Sequence, residues 1–187
     1  MTSPLSGTSF SGDVALDARR LLGCVVQTRS DGDLVAVRIS EVEAYAGADD
    51  AASHAARGPT RRNSAMFGPP GTVYVYRSYG IHWCMNVVTG AEGEGGAVLL
   101  RGGEVLEGLE TAKRRRGRTD HLADGPGKLC QALAVSGDED GSVINQGPIE
   151  LLARESEPPV IEATPRVGIS KAVDRPWRFV VRDSPRP

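Results

Sequence analysis

Glu41, Glu43 and Tyr45 stand at alternate positions in the run Glu41-Val42-Glu43-Ala44-Tyr45, and Ser53-His54 follows shortly after. Alternate residues of a strand share one face. Upstream, Val35, Val37 and Ile39 keep the same phase while Arg38 and Ser40 take the other. The spacing predicts a strand from Leu34 to Tyr45 whose apolar face turns acidic near its end. A carboxylate held in core register is costly without a partner, so the strand is expected to leave the core and enter a cleft. There a desolvated Glu can act as a general base. A solvated strand end would carry the same residues, and the strand alone does not separate the two.

Tyr79 is the second oddity. Thr72 to Arg77 and Ile81 to Val88 alternate as strands, and Ser78-Tyr79-Gly80 joins them as a hairpin with an aromatic at its tip, where Asn, Gly or Asp is usual. An exposed aromatic there can wedge between stacked bases; folded back, it would only cover the sheet. Tyr45, His54 and Tyr76 could wall a flat, π-stacking pocket. Gly125-Pro126-Gly127-Lys128 offers backbone N–H groups and a Lys to an anion, without P-loop spacing.

The net charge of −2 argues against a protein coated in cations, but the distribution is uneven. Residues 57–128 hold eleven Lys and Arg against seven Asp and Glu, a net of +4, so the remainder carries −6. One basic face on an acidic body would attract phosphates modestly and in a salt-sensitive way. The cluster Lys113 to Arg118 is expected to join that face, although a solvated helix end beside its own dipole would look the same. Three cysteines, Cys24, Cys84 and Cys130, lie far apart in apolar patterns and read as reduced core thiols. With His54, His82 and His121 they show no zinc-ligand spacing, so no metal and no cofactor is expected. No apolar run approaches the roughly 20 residues of a membrane span.

Length and 40% hydrophobic content suit a single domain. Residues 1–12, rich in Ser, Thr and Gly, read as a flexible tail, and 13–183 as the domain. Asp13 caps a helix through Leu22, Gly23 ends it, and a strand Cys24 to Arg29 turns at Asp31-Gly32-Asp33 into the long strand. Ala46 to Gly71 is a long loop, a feature more often functional than not, with a short helix expected near Asp49 to His54. A strand Ala97 to Arg101 follows, then helices Leu106 to Arg116 and Leu129 to Val135, and a last strand or two in Arg166 to Val181. Strands and helices do not alternate as βαβ units. The expected fold is therefore α+β, a curved antiparallel sheet or partial barrel with flanking helices and a protruding hairpin.

Glu41-Val42-Glu43-Ala44-Tyr45, Ala52-Ser53-His54, Thr60-Arg61-Arg62-Asn63, Met66 to Tyr76, Tyr79-Gly80, Cys84-Met85-Asn86, Val98 to Arg101, Gly125 to Leu133 and Arg166-Val167-Gly168-Ile169 come in this order. Together they resemble the alkyladenine (3-methyladenine) DNA glycosylase family, and in particular a bacterial member. The resemblance runs from the first helix to Phe179. It implies a monofunctional enzyme of base-excision repair that flips an alkylated or deaminated purine out of duplex DNA and hydrolyses its N-glycosidic bond, leaving an abasic site. By the same resemblance, Glu43 is the base for a water that Arg101 and the Val167 carbonyl help hold. Tyr79 fills the gap in the duplex, Tyr45, His54 and Tyr76 sandwich the base, and Asn86 excludes the amino group of guanine.

Arg61, Arg62 and Lys128 are expected on the DNA backbone, and the partner is double-stranded DNA with damaged purines, met by a monomer without a membrane. A cytoplasmic protein, at the nucleoid when on DNA, is expected. His82 and the short Arg57 to Thr60 stretch depart from the pattern and bear on substrate range, which could include 3-methyladenine, 7-methylguanine, hypoxanthine or ethenoadenine. Two other classes stay open on the residues alone: a non-catalytic binder of distorted DNA, indifferent to loss of Glu43, and a hydrolase of free nucleosides, with no need of Tyr79.

Overall fold

In the computed structural model, residues 3–158 and 160–182 are described; the ends of the expected tail and domain, residues 1, 2 and 183, lie outside them. Asp13 accepts from the Ala15 and Leu16 N–H groups at 3.0 Å and so starts helix α1 (Val14–Leu21). Its buried side, Val14, Ala18 and Leu21, covers the sheet. Strand β1 (Val25–Ser30) turns back into β2 (Asp33–Tyr45) through Asp31 and Gly32, both at positive φ as a tight hairpin turn requires. The long loop of residues 46–72 leads to β3 (Val73–Ser78) and β4 (His82–Val88), then to β5 (Ala97–Glu107). Helices α2 (Leu109–Arg116) and α3 (Pro126–Leu133) follow, and β6 (Ile149–Leu152), β7 (Val160–Thr164) and β8 (Arg178–Arg182) complete the chain.

All eight strands pair antiparallel in one sheet, in the order β3-β4-β5-β2-β1-β6, with β8 on the far half of β2 and β7 beyond it. The sheet curls into a half-barrel with the three helices flanking it, as expected. One face packs Val73, Val75, Met85, Val87, Val98 and Leu100 against α1 and α3 as the main core. The other face, at the β3-β4-β5-β2 end, carries the intervening residues, and the 46–72 loop meets it.

The phase of β2 differs from the expected one. Val35, Val37 and Ile39 are core, but so are Val42 and Ala44, so the inward side switches parity between 39 and 42. The pairing shows why. Ser40 is an extra residue opposite β5, and Arg101 is an extra residue opposite β2, two bulges that cancel in register. Glu43 and Tyr45 therefore do not continue the core face but point from the opposite one. Gly102 and Gly103 permit the close approach, since a Cβ on Gly103 would stand 2.1 Å from the Arg38 carbonyl oxygen and one on Gly102 2.8 Å from that of Ala123.

Other boundaries also shift. Strand β5 runs on to Glu107, so α2 starts at Leu109, not Leu106. Proline at its first turn starts α3 at Pro126. Residues 49–54 form successive turns instead of a short helix, and neither β6 nor β7 was expected. Residues 3–12 run against the body: the Leu5 N–H donates to the Leu151 carbonyl at 2.8 Å, and Asn145 Nδ2 donates to the Leu5 carbonyl at 2.6 Å. Part of the Lys113 to Arg118 cluster is engaged by the protein's own structure. Arg114 pairs with Asp33, Arg115 donates to the carbonyls of Ala132 at 3.0 Å and Ser30 at 3.3 Å, and Arg116 bonds Gln131.

Candidate active site

A cleft of about 350 Å³ opens between the far face of the sheet, the 46–72 loop and the 165–169 loop. Alternation along each strand sends one set of side chains into it: Glu43 and Tyr45 from β2, Tyr74 and Tyr76 from β3, Cys84 and Asn86 from β4, Leu99 and Arg101 from β5. Its charged lining is one acid, Glu43, and three cations, Arg62, Arg77 and Arg101.

Glu43 is fully buried and held by three donors. The Val167 N–H reaches Oε1 at 2.7 Å, the Tyr45 hydroxyl donates to Oε2 at 2.8 Å, and Arg101 Nη1 lies 3.2 Å from Oε2. Such donors meet the demand a buried carboxylate makes for partners. Val167 thus touches Glu43 through its amide N–H, a contact that the role implied for its carbonyl did not include. Arg101 is oriented in turn by Glu41, whose Oε1 accepts from Arg101 Nε at 2.6 Å and from Arg178 Nε at 2.7 Å. Burial works against the Glu41 charge, but the two arginines outweigh it and hold its pKa below the ordinary value.

The aromatic wall is larger than the sequence indicated. His54 and Tyr76 meet edge to face with centroids 4.5 Å apart, and Tyr74 stacks on Tyr76 at 5.5 Å. The Tyr74 hydroxyl and His54 Nδ1 are hydrogen-bonded at 2.9 Å, which fixes the ring. His54 is open to the cleft, yet desolvation by its neighbours, with Arg62 second, lowers its pKa. Burial raises Tyr45 and Tyr76 strongly and pushes Tyr74 up to about 12, so all three stay protonated donors. Tyr74 follows from the same alternation as Tyr76; only its assignment was missed. Asn86 is buried, and its Nδ2 donates to the Tyr74 carbonyl at 3.1 Å, which leaves Oδ1 for the cleft.

Tyr79 stands at the hairpin tip on the rim, 91% exposed, with φ +49° beside Gly80 at +69°. A non-glycine residue at positive φ is uncommon, and so is a large aromatic with so little packing. Arg62 lines the cleft and donates to the Arg77 carbonyl at 3.3 Å. Arg61 and Lys128 do not line it; Lys128 pairs with Asp124 at 3.0 Å. Asp50 and Arg166, which sequence reasoning did not place in the site, form a buried pair beneath it, and nothing in their local pattern could have joined residues so far apart. All three cysteines are free and buried. Among the described residues, no three His, Cys, Asp or Glu side chains come together as a metal site.

The cleft thus joins a buried, donor-held carboxylate beside an arginine to a wall of packed aromatic rings, with an exposed tyrosine on its rim. Comparison with known proteins shows the family. The family model "Methylpurine-DNA glycosylase (MPG)" matches residues 8–185, and the chain belongs to that family. A relative from Nitrosospira multiformis is 46% identical over 178 residues, covering 94% of this chain and 89% of its own. One from Methanoculleus marisnigri, an alignment covering 96% of both chains, is also 46% identical, and one from Cutibacterium acnes is 50% identical over 160 residues. The names of all three contain the words "3-methyladenine DNA glycosylase".

Proposed function

We propose that this DNA glycosylase of base excision repair, a hydrolase of N-glycosyl bonds, acts as a monomer on duplex DNA and draws a damaged purine into the cleft, where Glu43 activates the attacking water. The observation that carries this is the Glu43 carboxylate, buried yet at the floor of an aromatic-walled cleft. The flipped base lies among Tyr45, His54 and Tyr76. An N-alkylated purine is cationic, so the electron-rich ring faces attract it by cation–π interaction. Tyr79 occupies the gap left in the stack, and Arg62 and Arg77 meet the backbone phosphates. Asn86 narrows the pocket against the amino group of guanine.

In the chemical step, water adds its oxygen to the anomeric carbon as the bond from that carbon to the purine nitrogen breaks. The water proton passes to Glu43, and the bonding pair leaves with the base: it cancels the positive charge of an N-alkylated purine, whereas neutral hypoxanthine leaves as an anion and takes a proton from solvent water. The developing oxocarbenium charge lies near the same carboxylate, so Glu43 stabilises it as well. Because a cationic base leaves readily, an N-alkylated purine needs no second carboxylic acid.

The test is single-turnover release of free base from a duplex with one hypoxanthine or one 3-methyladenine analogue. Glu43→Gln should keep binding the duplex and lose at least ~10²-fold in rate, the usual scale of general-base catalysis. Binding without release by either protein, across several damaged purines, would leave a lesion-recognition module. Release from free nucleosides would point to the nucleoside hydrolase instead.

A further inference from the structure

The end of β2, the turns of residues 46–55 that continue from it, and the 165–169 loop far along the chain build the floor of the cleft. Arg166 ties all three. Its side chain and that of Asp50 are both wholly buried, with Nη1 2.5 Å from Oδ2 and Nη2 2.9 Å from Oδ1. Nη1 also donates to the Ala44 carbonyl at 2.9 Å, and Nη2 to that of Ala172 at 3.3 Å. The guanidinium lies 4.6 Å from the centre of the Tyr45 ring and 5.5 Å from that of Trp177. Asp50 in turn accepts from the N–H groups of Ala46 and Ala52, each at 3.2 Å, and so anchors the turns that carry His54.

Arg166 and one of its partners, Ala44, adjoin the groups around Glu43. Ala44 separates Glu43 from Tyr45, and the residue after Arg166 is Val167, whose N–H reaches Glu43 at 2.7 Å. A buried ion pair is a poor means of stabilising a fold, since well-packed apolar side chains of the same volume do as well or better. Among the described residues, Arg166 Nε even finds no hydrogen-bond partner. What the pair does supply is direction, because a planar fork on a carboxylate tolerates little rotation.

We infer that Asp50 and Arg166 are positioning residues for Glu43: their pairing holds the 165–169 loop against the end of β2 in the arrangement that brings the Val167 N–H onto the carboxylate. The inference rests on Glu43 as the base. Lysine at 166 keeps the charge without the fork, and asparagine at 50 keeps the shape with one acceptor fewer.

The experiment compares Arg166→Lys and Asp50→Asn with the wild type. It measures thermal melting, affinity for a hypoxanthine duplex, single-turnover base release, and the ¹⁵N–¹H signal of the Val167 amide, with Glu43→Gln as the spectral reference. The expected variants are folded and bind the duplex normally. They release base at least about tenfold more slowly, the scale of one hydrogen bond to a charged group, and their Val167 signal moves toward its place in Glu43→Gln. A folded variant with normal rate, or a slower one with the Val167 signal unmoved, overturns the inference. So does failure of both variants to fold, which makes the pair a determinant of folding alone. Absence of base release by the wild type on every damaged duplex would refute Glu43 as the base separately, since the Val167 signal still reports whether the pair positions the loop.

Discussion

Replacing Tyr45 by Phe removes one hydroxyl and leaves the ring in the cleft wall. That hydroxyl donates to Glu43 Oε2 at 2.8 Å. Burial first, and the Glu43 charge second, keep it protonated by raising its pKa well above the ordinary value. In the variant the buried carboxylate keeps only the Val167 N–H at 2.7 Å and Arg101 at 3.2 Å. A hydrogen bond to a charged group contributes about 1.5–3 kcal/mol. For a domain of this size each kcal/mol moves Tm by about 2–4 °C, so the melt should fall by about 3–12 °C. The same loss, felt as misorientation of Glu43 in the transition state, slows release by about 10- to 100-fold at roughly 1.36 kcal/mol per decade. Duplex affinity should stay within about threefold, because the stacking surface is retained. Quenched single-turnover assays on a hypoxanthine duplex, with calorimetric melts of the free protein, measure both. A Phe variant that matches the wild type in rate within about twofold and in Tm within about 1 °C would refute the idea that the hydroxyl holds Glu43.

Tyr79→Ala should leave Tm unchanged, as exposed substitutions usually shift stability by less than about 0.5 kcal/mol, while base release from duplex falls by about tenfold or more; equal activity would exclude the wedge. In Glu41→Gln, Arg101 loses one of its two carboxylates, and release should slow several-fold. Glu41 also has a pH signature: its pKa is depressed in the fold, so its stabilisation is present above the unfolded value and lost as pH falls through the folded one. Between about pH 5 and 3 the wild type should therefore lose more stability than the Gln variant, and equal acid-side slopes in chemical denaturation would contradict the bridging geometry. Plots of log affinity against log salt for Arg62→Ala and Arg77→Ala should each be shallower by about one than the wild type's if these side chains meet phosphates, and unchanged if they only line the cleft.

Much of the site could be read from residue types. Glu43, Tyr76 and Asn86 alternate along their strands, and Tyr79 lies between two alternating runs where a turn must fall. All four occupy the cleft or its rim. The face of β2 was misread because alternation presumes an unbroken ladder, and neither Ser40 nor Arg101 announces a bulge. The adjacent glycines Gly102 and Gly103 were a faint sign, since glycine inside a strand marks close backbone approach. The Lys113 to Arg118 cluster shows a different limit: charge in a sequence does not say whether its partner is a phosphate or a group of a neighbouring element, and Arg114 and Arg115 have partners of the second kind.

By itself the sequence determined the family, the α+β class, the hairpin and the residue types at the cleft, because alternation, turn chemistry and ordered motifs are local and survive in one dimension. Only the tertiary structure decided which way Glu43 points, which groups hold it, and that Asp50 and Arg166 meet below it. Those depend on the register of β2 against β5 and on burying two charges more than a hundred residues apart. No local pattern encodes either, since each is settled by which partners remain once the core has closed.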